Sequence, residues 1–441
     1  AAAHRSWTAA GIGSIIAAAL VACSPSLAPA LIVLWIVGIV LTAALNRGHG
    51  LAQVIWLVVP TAVVFAPLAW HRVRSGETAA LLADPGVPLA ADTGTDAVRR
   101  MLLVLGFPSA DGAAGAHGWS ELVDPAIALW APLLVAPVLV LALAAPLLAR
   151  VAPTAMTLLA AAVGLATACL AIGITVTVDA EAPVPLWPGA ALSLYWLGLL
   201  SAAALGLDAL PRRIRLRAPL VALTMLMLAV SAVPALTAVP RGTSALTDGP
   251  SSTLPAYVEA EGRAGLGNAT FVVTPASDGS VIAEVVWGET SSLGGQTTLR
   301  SARTGPDAGD AATAQAVAEL IADPSGDVVA RLAEHGVAFV LLATATGESE
   351  AARAVRIEAE TSLNQRDDLE IVGDTGKGML WRITADVTDR DTTATARAAR
   401  IGLLQLGIVV VSLLLAVPTR RSLAQSRRRP RVIGQRKGGD A

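Results

Sequence analysis

The chain has 441 residues, 54% of them hydrophobic and only 15% charged. That balance excludes an ordinary water-soluble enzyme and points to a membrane protein. The formal net charge of −2 gives no reason to expect nucleic acid as a partner. Two lysines, Lys377 and Lys437, stand beside 30 arginines in an alanine-rich chain, the codon signature of a GC-rich bacterial genome rather than of a function. Cys23 and Cys169 both fall in apolar runs. They lack CxxC spacing and histidine neighbours, so neither a disulfide framework nor a zinc site is supported. The chain opens on Ala1-Ala2-Ala3-His4-Arg5-Ser6 without a methionine, and the expectation is a fragment.

Residues 8–23 are the first apolar run, and its end, Leu20-Val21-Ala22-Cys23, imitates a lipoprotein cleavage site. A second run begins only six residues later, so the segment is expected to be a short first spanning helix. Residues 29–45 cross back, and Asn46-Arg47-Gly48-His49-Gly50 is a polar turn. Residues 51–70 form a third span containing Pro60 and Pro67, tolerable in lipid where neighbouring groups satisfy the freed carbonyls. Trp70 closes it at an interfacial position. Residues 71–125 are a long polar excursion in which Asp96–Phe107 has helical spacing. Val98, Met101, Leu102 and Leu105 share one face, and Arg99 and Arg100 fall on another.

Four further spans are predicted at 126–149, 154–176, 188–208 and 219–239. The last two are joined by a turn holding Arg212, Arg213, Arg215 and Arg217. Residues 401–417 are a final apolar run, followed by a tail (418–441) with eight basic residues against Asp440 alone. Cationic flanks stay in the cytoplasm. Both termini, 46–50, 150–153 and 209–218 are therefore expected inside, and 71–125, 177–187 and 240–399 outside. Residues 240–399 carry 23 acidic against 12 basic residues and change from apolar runs to mixed α and β patterns. Strands are expected at 270–274, 281–287, 336–343, 369–372 and 379–383, and helices at 311–321, 327–335 and 351–363.

The expected fold is thus a polytopic α-helical membrane protein of about eight spanning helices. A small extracytoplasmic α/β domain precedes the last helix. The divisions are a membrane domain at 1–239, the α/β domain at 240–399, the last span at 400–417 and a basic cytoplasmic tail at 418–441.

No catalytic motif stands out. Asp389-Arg390-Asp391 has the spacing of a metal-holding Asp-x-Asp pair, but reads better as part of the polar linker 386–399. Asn268-Ala269-Thr270 fits the glycosylation sequon by chance. The five histidines are scattered, and no Walker loop, dinucleotide fingerprint or nucleophile elbow occurs. The spans hold essentially no ionisable residue at mid-depth, which argues against an ion-coupled transporter or exporter. Any binding surface on the membrane part is expected in the outer loop, where Asp92, Asp96, Arg99, Arg100, His117, Trp119 and Asp124 gather. Asp96, Arg99, Arg100 and Trp119 are the substrate-binding candidates, suited to a polyprenyl-phosphate headgroup or a sugar. Taken singly, each reads more simply as part of a solvated loop.

Several segments resemble the C-terminal half of actinobacterial membrane-bound family-2 glycosyltransferases. They are Leu81-Leu82-Ala83-Asp84-Pro85-Gly86, Trp187-Pro188-Gly189 leading to Leu194-Tyr195-Trp196-Leu197-Gly198-Leu199, and Thr253-Leu254-Pro255-Ala256-Tyr257-Val258. Two more are His335-Gly336-Val337-Ala338-Phe339-Val340-Leu341-Leu342 and Gly378-Met379-Leu380-Trp381-Arg382. The resemblance implies envelope polysaccharide or glycolipid assembly, with a cytoplasmic nucleotide-sugar domain ahead of the membrane region. That domain is missing from this chain, and with it the divalent metal it would hold. No cofactor is expected in residues 1–441, and no catalytic residue transfers. Membrane lipid and a polyprenyl-linked glycan or envelope polysaccharide are the expected partners. A non-enzymatic assembly scaffold is the alternative, and a lipid or polysaccharide exporter a weaker one.

Overall fold

The computed structural model describes residues 6–46, 50–86, 119, 122–124, 130–179, 182–210, 217–242, 254–264, 268–288, 302, 308–344, 349–388 and 396–418. They belong to two compact units, 1–247 with 399–441, and 248–398.

In the first unit, seven helical stretches are long and apolar enough to cross a membrane. These are Pro25–Ala44, Leu51–Arg74, Ala131–Leu148, Val151–Ala171, Gly189–Ala209, Arg217–Ala238 and Ala398–Ala416. By length and composition the unit is that of a membrane protein. An eighth apolar helix, α1 (Trp7–Cys23), has 17 residues, the lower limit for a bilayer core. Ser6 caps it by accepting a hydrogen bond from the Ala9 amide at 3.3 Å.

Three predicted spans are built differently from their apolar runs. That at 51–70 is two helices, α3 (Leu51–Trp56) and α4 (Val59–Arg74), because Pro60 starts α4 rather than sitting inside one long helix. The break frees the Val54 carbonyl, and the Trp35 indole of α2 (Ala28–Asn46) donates to it at 2.8 Å. The run expected at 154–176 is helical only as α6 (Val151–Ala171), which follows α5 (Ala136–Leu148). Thr175-Val176-Thr177-Val178 alternates β-branched residues and forms strand β1 (Thr175–Asp179), antiparallel to β2 (Ala182–Pro185). The run expected at 219–239 is two helices, α8 (Arg217–Ser231) and α9 (Val233–Arg241), with Pro234 at the start of the second.

Helix α7 (Gly189–Ala209) packs against both α5 and α6, and small residues allow the approach. A Cβ on Gly198 would lie 2.6 Å from the Ala161 nitrogen and the Thr157 oxygen. One on Gly164 would lie 2.6 Å from the Tyr195 nitrogen. The last helix (Ala396–Ala416) begins a turn earlier than its apolar run. It lies on α1 at Gly11, where a Cβ would meet the Ala416 nitrogen at 2.7 Å and the Ser412 oxygen at 2.8 Å. Its Gln405 donates to the Val64 carbonyl at 2.8 Å, in the turn where Pro67 breaks the α4 ladder.

One end of the bundle is closed by three connections. Asp84 accepts from the Ser26 amide at 3.1 Å and the Ser26 hydroxyl at 2.9 Å. The 3₁₀ segment Thr78–Leu82 touches both the Pro25–Leu27 turn and β1. Leu27, Ala80, Ala83, Val176, Val184 and Leu186 are all buried there. An ion pair between buried Arg72 and Glu77 fixes the exit from α4.

The second unit is a five-stranded mixed sheet. Its strands are β3 (Ala269–Pro275), β4 (Val281–Trp287), β5 (Val337–Ala343), β6 (Leu369–Thr375) and β7 (Gly378–Ile383). The order is β4-β3-β5-β7-β6, with only the β3–β5 pair parallel. Helices α11 (Ala308–Ala322), α12 (Val328–Glu334) and α13 (Glu350–Asn364) cover one face, over Phe271, Val273, Val340, Leu342 and Trp381. Helix α10 (Ala256–Ala264), which no apolar periodicity announces, precedes β3, and Leu254 and Val258 join Val272, Phe339, Leu341 and Leu380 on the other face. The Trp381 indole is fully buried and donates to Asn364 at 3.1 Å. Arg366 is also buried, its guanidinium donating to the carbonyls of Glu319, Leu320, Asp323 and Gly326 at the end of α11. A cation there offsets the unpaired carbonyls of a helix C-terminus.

Candidate functional site

Within the second unit a cleft of about 510 Å³ opens on the helix-covered face, where α11 and α12 meet the β3–β4 edge. Its walls are apolar: Phe271, Val285, Ala312, Ala316, Val328, Leu332 and Val337. Half-buried Trp287, the last residue of edge strand β4, lines it as well. Trp287 pairs across the sheet with Ala269, and that short side chain leaves room for the indole.

Gly336 makes the second accommodation. It ends α12 at φ +82°, and its amide donates to the Ala333 carbonyl, as a glycine past a helix C-terminus does. A Cβ at this position would stand 3.1 Å from the six-membered ring of Trp287. The glycine therefore serves both the turn and the seat of the indole.

The polar members of the lining are Thr313 and Gln315 from α11, Arg331 from α12 and His335 at its cap. Their charge is balanced. Gln315 donates to Glu319 at 2.8 Å, and Arg331 pairs with Glu319 and, at 3.3 Å, with Asp327. The Gln315 amide, followed by the Arg331 guanidinium, holds the Glu319 carboxyl below the usual carboxylate range. Glu319 in turn raises Arg331 above its ordinary value. An apolar concavity with a few convergent hydrogen-bonding groups is the usual form of a small-molecule site, and its volume falls in the usual range.

The opposite face carries a smaller, more polar cleft of about 420 Å³, lined in part by Glu261, Asn268, Glu370, Arg382 and Asp386. Arg382 stands opposite Glu370 in the β6–β7 register, 3.9 Å from Glu261, and donates to the Tyr257 hydroxyl at 3.5 Å. The hydrogen bond to Glu261 raises the Tyr257 phenol above its ordinary value. The Tyr257 ring meets Phe339 edge-on at 5.8 Å. Carboxylates and guanidinium satisfy one another here.

Of the residues the sequence nominates, Asp96, Arg99 and Arg100 lie outside the described residues, as do Asp92, His117 and the Asp389–Asp391 pair. Trp119 is half-buried, and its carbonyl accepts from the amides of Leu122 and Val123 at 3.0 and 2.9 Å. Asp124 is exposed. Sequence reasoning passes over Trp287, Gln315 and Arg331 entirely. Trp287 closes a largely apolar strand and reads as an ordinary core position, and nothing local announces that α11 and α12 converge on it. Among the described residues no group of three or more His, Cys, Asp or Glu stands close enough to hold a metal ion. No protein-family model, curated protein or solved structure matches the chain.

Proposed function

We propose that this chain is the membrane and outer-domain portion of a glycosyltransferase-type protein serving assembly of a cell-envelope polysaccharide or glycolipid. Transfer from the nucleotide sugar is the work of residues not in this sequence. In this reading the arginine turn at 212–217 and the tail 418–441 lie in the cytoplasm. The α/β unit 248–398 then faces the envelope, where it engages the glycan. The observation that carries the reading is the coupling, in one chain, of a lipid-adapted helical bundle with an α/β unit bearing a tryptophan-lined, charge-balanced cleft.

The segments on which the resemblance rests support the reading by their structural work. Asp84 ties down the connection after α4. Trp187-Pro188-Gly189 leads from the hairpin into α7. Val337–Leu342 and Gly378–Arg382 are neighbouring strands of the sheet.

The test is disruption of the gene in its source bacterium, with linkage analysis of envelope sugars and sequencing of the frame upstream of Ala1. The expected result is loss of a defined sugar linkage, and an upstream strand–helix domain carrying Asp-x-Asp. The polar face at Tyr257, Glu261, Arg382 and Glu370 favours a second reading, a non-enzymatic scaffold that binds partners in envelope assembly. Unchanged linkages with a disordered envelope decide for the scaffold.

A further inference from the structure

We infer that the cleft between α11, α12 and β4 binds one or two rings of a neutral sugar, held against Trp287 with their hydroxyls at the Gln315–His335 rim. This assignment stands apart from the glycosyltransferase reading, since it rests on the chemistry of the cleft alone. Three observations fix the ligand class.

The first is the tryptophan. Ala269 opposite it and Gly336 against its ring seat the indole without strain, so little ordering remains for a ligand to drive. A pyranose has an apolar C–H face of the kind that lies on an aromatic surface.

The second is the rim. The Gln315 amide spends one N–H on Glu319, leaving its second N–H and its carbonyl for a ligand hydroxyl. Thr313 donates its hydroxyl to the Gly309 carbonyl at 2.9 Å, so its oxygen remains an acceptor. His335 adds an imidazole. Donors and acceptors side by side suit hydroxyl groups, which are both at once.

The third is charge. Arg331, the cation of the lining, is engaged by Glu319 and Asp327. An anionic ligand such as a uronic acid or a phosphate would meet a cation whose charge two carboxylates already offset. A fatty acyl chain would leave the rim's polar groups desolvated without partners, which costs affinity. A neutral sugar uses walls and rim together.

The experiment uses the full chain, purified in a detergent without a sugar headgroup. Methyl glycosides of glucose, galactose, mannose and arabinose are offered, with glucuronate and decanoate as controls, and saturation-transfer NMR reads contact with the protein. The expected result is transfer to the ring C–H protons of at least one neutral glycoside. Trp287→Ala should weaken that binding by about tenfold or more, and Gln315→Ala by roughly threefold to tenfold, in line with the loss of a central anchor and of one hydrogen bond. Should Trp287→Ala fail to fold, Trp287→Phe and Gln315→Ala decide, with their unfolding midpoints as controls. No transfer to any neutral glycoside, undiminished binding in both Trp287→Phe and Gln315→Ala, or preference for glucuronate or decanoate would each overturn the assignment. Envelope linkages that survive gene disruption, with binding intact, would sink the glycosyltransferase reading and leave this one standing.

Discussion

The two units of this chain solve the same packing problem with different side chains. The bundle buries alanine: Ala142, Ala145, Ala161, Ala168, Ala191, Ala202 and Ala203 sit at its contacts, while Leu143, Leu147, Leu170 and Leu197 point outward. The α/β unit buries Trp381, Phe271, Phe339, Leu341 and Leu363. In lipid, leucine gains nothing by leaving the surface, so close approach through small residues is what holds helices together. In water the largest apolar side chains gain most from burial. Polar groups differ in the same way. Thr42, Thr154, Thr167, Thr224 and Ser412 all return their hydroxyls to their own helix backbone. The α/β unit instead spends a buried Arg366 on another element's carbonyls.

The sharpest way to break this comparison is to exchange the two strategies. Trp381→Ala should cost the α/β unit about 3–5 kcal/mol, enough to abolish its cooperative unfolding, while an alanine in place of outward Leu147 should leave the bundle unchanged. Denaturant titration followed by near-ultraviolet dichroism reads the first, and gel filtration in detergent the second. Gly198→Leu should separate α7 from α6 at a cost of about 1–3 kcal/mol, seen as lower thermal stability of the purified protein. Equal damage from Leu147→Ala and Gly198→Leu would show that large side chains, not small ones, hold the bundle.

A smaller effect attends Arg366→Met, which removes several hydrogen bonds to the end of α11 but keeps the side chain's bulk. About 2–3 kcal/mol should be lost from the α/β unit, measured in the same denaturant titration. Smaller still is Gln405→Leu, which should cost roughly 0.6 kcal/mol, the average for hydrogen bonds between spanning helices. Both variants keep their packing, so a larger loss from Gln405→Leu than from Arg366→Met would reverse the proposed ranking of polar groups in the two regions.

The least effect is that of acid. Glu319, Asp323 and Asp278 are held below the usual carboxylate range, Glu319 by Gln315 and Arg331, and the two aspartates by Ser325 and Ser280. A depressed carboxyl stabilises the folded state above its unfolded value, near pH 4, and that contribution fades as pH falls through the folded value. The α/β unit should therefore hold a level unfolding midpoint from pH 7 to about pH 5 and lose stability below pH 4. A midpoint that rises on acidification would contradict the assignment.

Much of this was readable in the residues. Long apolar runs locate seven helical stretches within a few positions, because lipid sets both their length and their composition. The strands around Ser277–Ser280 follow from two runs rich in β-branched and aromatic residues and a turn at Gly279, whose φ is +85°. What escaped were choices made by neighbours. Thr175–Val178 leaves the apolar pattern of its span to pair with Ala182–Pro185. Helix α10 is short and carries a glycine, Gly262, in its last turn, and holds its place by packing Val258 on the sheet. The cleft was invisible for the same reason: its tryptophan, glutamine and arginine come from three elements, and only the assembled sheet makes them neighbours. The outer-loop candidates Asp96, Arg99 and Arg100 lie outside the described residues.

The contact of Gly11 with Ser412 and Ala416 bears on how such a chain is made. Helix α1 leaves the ribosome some four hundred residues before the segment that covers it. Throughout that interval the groove at Gly11 is without this partner. Its occupant arrives after the intervening helices and the α/β unit have been synthesised. A bundle joined across so long a stretch of sequence seals late in translation, and a ribosome that stops short of residue 396 leaves that seam unsealed.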